Sequence, residues 1–97
     1  MAMRMTVKYL GDLAADWLGQ RPNLRTAAGC QLAEDQLVEL AAGARGKDQR
    51  GLFALVRAVH ERRLWLLYSG LGQLKGVRDA TEAMKRELAV ADRFLAA

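Results

Sequence analysis

The chain has 97 residues, 52% of them hydrophobic, and a formal net charge of +4. That length and that apolar content predict a single folded domain, 1–97, and argue against disorder. Isoleucine is absent, and Ala and Leu far outnumber Val and Thr, which disfavours a strand-rich fold and predicts helix.

The first predicted helix covers residues 3–19. Met3, Val7, Leu10, Leu13, Ala14, Trp17 and Leu18 share one face, and Arg4, Lys8, Asp12 and Asp16 share the other. Gly19 suits a helix C-cap, and Pro22 cannot continue the helix. The beginning of the chain has two basic residues and no uninterrupted apolar core, so no signal peptide is expected. The single Cys30 excludes an intramolecular disulfide, and a cytoplasmic location is expected. Trp17 and Gly19 form a W-x-G motif similar to that of small secreted helical-hairpin proteins. There the motif sits between two long helices. Here the preceding helix is short and Pro22 follows, so no function is carried over.

Residues 20–30 read as a connection containing Arg21 and Arg25. Cys30 ends it, just ahead of a helix, and reads as a buried structural thiol. The second predicted helix spans 32–43, with Glu34 and Asp35 in its first turn, where carboxylates favour the helix dipole. Leu37, Leu40, Ala41 and Ala44 form its apolar stripe. A polar turn is expected over 43–51.

The C-terminal half, residues 50–96, reads as one kinked helix or two. On a helical wheel Leu52, Leu55, Val56, Val59, Leu66, Leu67, Gly70 and Leu74 make the core face. Arg50, Arg57 and Glu61 lie opposite, but that opposite stripe continues through Trp65, Tyr68, Gly72 and Lys75. A helix apolar on both sides is buried on both sides. Either a second chain covers Trp65 and Tyr68, or another helix of the same subunit folds over them. The run 64–71 is broken at Ser69 and Gly70 and is far shorter than the ~20 residues of a membrane span. Gly70, Gly72 and Gly76 do not match G-x-G-x-x-G, because Lys75 holds the third position. Two readings of these glycines remain. Gly72 and Gly76 are a small-x-x-x-small pair admitting a close backbone, or the glycines end one helix and begin the next. Beyond them Val77, Met84 and Ala91, with Leu74, Thr81, Leu88 and Leu95, form an a/d seam, and Glu82 pairs with Arg86. The expected fold is all-α, a small bundle of three to four helices.

Chemistry is sparse. His60, Cys30 and Ser69 each occur once as their type. They form neither a four-ligand metal motif nor a G-x-S-x-G nucleophile, so no enzyme, metal or cofactor is expected. Arg63 falls on the apolar face of the wheel, and an unpaired buried charge is costly, so either the helix bends, or Arg63 snorkels, or it meets a carboxylate from another helix or subunit. In a dimer it would fix the register.

These features point to a small regulator, adaptor or chaperone-type protein. It would act by protein–protein contact, as a homodimer or by sequestering a larger partner such as a transcription factor. Leu64, Trp65, Tyr68, Leu71 and Gly72 are the candidate anchors, since aromatic residues are enriched at interface hot spots. Arg57 and Arg62 are rim charges, and Arg63 sits beside them. The alternative is a DNA-binding transcriptional regulator. Residues 37–60 have a helix-turn-helix outline with Arg45, Lys47, Arg50 and Arg57 near the second helix, and a turn longer than that motif usually has.

Overall fold

The computed structural model describes residues 24–95, so the predicted helix 3–19 and its W-x-G motif lie outside the described residues. Three helices occur among the described residues, α1 (Ala27–Ala42), α2 (Gly46–Gly70) and α3 (Leu74–Leu95), and no strand. The all-α expectation holds there.

The first helix begins five residues earlier than its apolar periodicity suggests. Thr26 is its N-cap, in extended conformation, and its Oγ1 accepts a hydrogen bond from the Gly29 N–H at 3.0 Å. That interaction satisfies one of the amide donors orphaned at a helix start. Glu34 and Asp35 therefore lie beyond the first turn, which holds no acidic residue. Cys30, Ala33, Leu37, Ala41 and Ala44 face the core, whereas Leu40 is exposed. Gly43, Ala44 and Arg45 alone separate α1 from α2. The polar stretch 46–51 thus belongs to α2, not to a turn. Gly46, at φ 59, takes the left-handed conformation that glycine tolerates best. Gln49 Nε2 donates to the Ala41 carbonyl at 3.0 Å and ties the two helix ends together.

The C-terminal half is two helices. Leu71 caps α2, and Gly72 follows at φ 70. The Gly72 N–H donates to the Ser69 carbonyl (3.2 Å) and the Gln73 N–H to the Tyr68 carbonyl (2.9 Å). That is the paired closure of a Schellman motif, with glycine at its left-handed position. The chain then reverses, and the Val77 N–H donates to the Gln73 carbonyl at 3.1 Å as α3 begins.

Helix α2 is central, with α1 and α3 each packed against it. The core joins Cys30, Ala33 and Ala41 of α1 to Leu52, Ala54, Leu55, Ala58 and Val59 of α2 and Met84, Leu88, Ala91 and Leu95 of α3. Alanines bring the helices close, and leucines and Met84 fill the remaining space. Gly51 belongs to this close contact, because a Cβ there would overlap the Leu95 side chain. The α3 seam holds from Met84 to Leu95 and includes Ala80, while Val77 and Thr81 are half-buried. Leu74, expected in that seam, is 77% exposed, because it lies at the reversal where α2 ends. Glu82 lies 3.8 Å from Lys85 Nζ, so its ion pair is with Lys85 and not the expected Arg86.

The helices differ in length in a way that matters. Helix α1 has 16 residues and α2 has 25, about 24 Å against about 38 Å. The antiparallel pairing runs from Ala41 opposite Gln49 to Gln31 opposite Arg63. Continued along that register, Ala27 falls level with Leu67, so only Tyr68–Gly70, the last turn of α2, extend past the start of α1.

Candidate functional site

Where α1 begins, a polar cluster joins it to α2. Glu34 is buried, with 7% of its surface exposed. Its Oε1 lies 3.2 Å from His60 Nδ1, and its Oε2 lies 3.3 Å from Arg63 Nη1. Arg63 also donates to Gln31 Oε1, and its Nη2 lies 3.0 Å from His60 Nδ1. His60 Nδ1 cannot donate to Glu34 and accept from Arg63 at the same moment, so the ring's proton selects its partner. Arg63 thus meets a carboxylate from another helix of its own subunit. Once the fold is formed, the apolar face it occupies is the α1–α2 boundary.

Arg62 is not a rim charge. It is buried, its Nε donates to the Leu24 carbonyl at 3.0 Å, and its guanidinium lies 4.4 Å from the centroid of the Trp65 ring. Burial pulls its pKa below the ordinary guanidinium value, opposed by the nearby Cys30. The same burial pushes the Cys30 thiol up, opposed by Arg62. Cys30 is fully buried, with its Sγ 3.7 Å from the Leu24 carbonyl. These contacts clamp Leu24 where the described chain enters.

The two aromatic residues are engaged within the chain. Trp65 is half-buried against the core beneath Arg62. Tyr68 lays its ring on Gly76 of α3, where a Cβ would overlap it. The close approach that Gly76 permits is therefore to an aromatic ring, not to a second backbone, and Gly72 serves the turn. Leu64 is half-buried, Leu71 is 60% exposed and Gly72 is exposed. Arg57 is exposed and bonded to Glu87 of α3.

The apolar surface lies one step round the helix from those aromatics. Leu67, read as core, is 53% exposed. With Leu71 and Leu74 it forms a run of leucines at spacings of four and three across the α2–α3 reversal. Beside it a groove of about 570 Å³ is lined by Arg25, Ala27, Arg63, Leu64, Leu66 and Leu67. The wheel puts Leu67 on the core face, but the structure leaves it exposed, because α1 begins at Ala27 and continues no further over that end of α2. Arg45, Lys47 and Arg50 are exposed around the start of α2, next to a connection of only three residues, shorter than the sequence suggests.

Among the described residues, no group of three or more His, Cys, Asp or Glu is arranged to hold a metal ion. No described helix is long and apolar enough to cross a membrane. No family model matches the chain, and comparison with curated proteins and with solved structures finds no similar protein.

Proposed function

We propose that this is a protein-binding regulator or adaptor. It works as a homodimer whose contact centres on the leucines at the α2–α3 reversal. The observation that carries this reading is the cluster of Leu67, Leu71 and Leu74, which are 53%, 60% and 77% exposed at one end of the molecule. Isolated exposed leucines are ordinary, but three of them around one reversal supply apolar area of the kind an interaction site uses. Trp65 and Tyr68 support the patch from behind by fixing α2 on the core and on α3. Arg63 and Leu64 lie at its edge. A larger protein, such as a transcription factor, would be held by the same surface. Light scattering across a concentration series tests this reading. The expected result is a dimer that Leu71→Asp with Leu74→Asp converts to a monomer of unchanged helicity.

A second reading has one observation in its favour. The three-residue connection before α2 is the length found in helix-turn-helix units, and Arg45, Lys47 and Arg50 are exposed beside it. As a DNA-binding regulator the protein would shift duplex DNA with a steep salt dependence. Arg45→Ala with Arg50→Ala would flatten that dependence. If no shift occurs at low salt, this reading is wrong.

A further inference from the structure

A cavity of about 260 Å³ lies between α2 and α3, lined by Arg57, His60 and Glu61 of one helix and Ala83, Arg86 and Glu87 of the other. Each helix contributes positions i, i+3 and i+4, which share one face. Ala83 is the smallest of the six side chains and leaves the space between them open. Arg57 and Glu87 are bonded to each other across the helices, so together they bring no net charge. The other two charges are unmatched. Arg86 does not meet Glu82, which lies against Lys85 instead. Among the described residues neither Arg86 nor Glu61 has a hydrogen-bond or ion-pair partner, although both line the cavity. A guanidinium and a carboxylate that share a cavity without meeting offer one place for an anion and one for a cation. His60 turns Nδ1 to Glu34 and Arg63, and among the described residues its Nε2 has no partner.

We propose that this cavity binds a small zwitterion, with the ligand's carboxylate on Arg86 and His60 Nε2 and its ammonium on Glu61. A simple anion would meet Glu61 and Glu87 as well as the arginines, and a simple cation would meet the arginines. A ligand carrying both charges is repelled by neither set. The cavity is smaller than the roughly 300–1,000 Å³ of drug-sized sites, so the ligand is of the size and class of a free amino acid. Donation from Nε2 places the ring proton there, and Nδ1 of the neutral imidazole then accepts from Arg63 Nη2. Occupancy of the cavity thus sets which partner His60 takes at the α1–α2 boundary. The site is separate from the leucines of the reversal. Glu61 lies about 9 Å along α2 from Leu67, and none of Leu67, Leu71 and Leu74 lines the cavity. Zwitterion binding therefore stands or falls independently of the dimer proposed above.

His60 is the single histidine of the chain, so its ring signals report on the cavity without overlap. Titration of the full chain, followed by nitrogen-15 NMR of that ring, tests the assignment. Glycine and γ-aminobutyrate serve as zwitterions, and acetate and methylammonium as single ions. The expected result is a saturable shift with at least one zwitterion at about millimolar concentration, and binding of the single ions about tenfold weaker. Glu61→Gln and Arg86→Gln should each weaken zwitterion binding by about tenfold. Ala83→Met should abolish the shift by filling the cavity, with helicity unchanged by circular dichroism. If Ala83→Met unfolds the chain, the two charge variants decide. No saturable shift with either zwitterion overturns the proposal. So does acetate that binds as tightly as they do, or a shift that both charge variants leave unchanged.

Discussion

Arg63 and Glu34 meet at the edge of the α1–α2 contact, and the carboxylate is the more buried of the two. Removing the arginine leaves a buried carboxylate facing only His60. Arg63→Met should lower the unfolding free energy by about 1–3 kcal/mol, measured by denaturant titration. Adding Glu34→Leu should recover most of that loss, because an apolar pair replaces a buried ion pair at little cost. Cys30 gives a pH signature. Burial raises its folded pKa above the ordinary thiol value of 9.0, so the unfolded chain loses its thiol proton first. The stability this thiol contributes is complete below pH 9.0 and is lost as pH rises toward the folded pKa. Alkylation at pH 8 should therefore be slow in native protein and fast in denaturant, and the alkaline loss of stability should be smaller in Cys30→Ala. The neighbouring arginines show what a wheel can reveal. Arg63 stands out because it breaks an apolar face. Arg62 reads as a rim charge because the Leu24 carbonyl that it meets comes from a tertiary contact that a wheel does not contain, while the Trp65 ring beside it is one turn on in the same helix.

At the level of elements, the glycines near the reversal have three different roles. Gly72 adopts φ 70 and sets the Schellman closure, whereas Gly76 makes room for the Tyr68 ring. At Gly70 an added Cβ meets nothing within 4 Å. Gly70→Ala should therefore stabilise by up to about 1 kcal/mol through helix propensity. Gly76→Ala should destabilise by about 1–3 kcal/mol despite the same gain, because the Tyr68 ring must move. Thermal unfolding of the two variants separates them by sign. The pattern of three glycines was readable as a helix break, but the ring against Gly76 was not. The early start of α1 was missed for a related reason. Ala27, Ala28 and Gly29 carry no apolar periodicity, and the informative residue was the cap Thr26. The α3 seam was legible through Met84, Leu88, Ala91 and Leu95 because buried positions repeat at heptad spacing. It failed at Leu74, where α2 turns away.

For the whole molecule, the mismatch between a 16-residue α1 and a 25-residue α2 leaves the leucine surface uncovered among the described residues. That surface was half legible. The sequence located it in residues 64–72 and identified Leu64 and Leu71. It assigned the anchoring to Trp65 and Tyr68, which are half-buried and touch Arg62 and Gly76 of their own chain. Periodicity shows which residues share a face but not where a neighbouring helix stops. The proposed dimer is held by Leu67, Leu71 and Leu74. Light scattering of the native chain and of the Leu71→Asp, Leu74→Asp variant, with circular dichroism on both, tests it most directly. The expected result is a native dimer and a monomeric variant of equal helicity. A native chain that stays monomeric at all concentrations, or a variant that still dimerises, would contradict it.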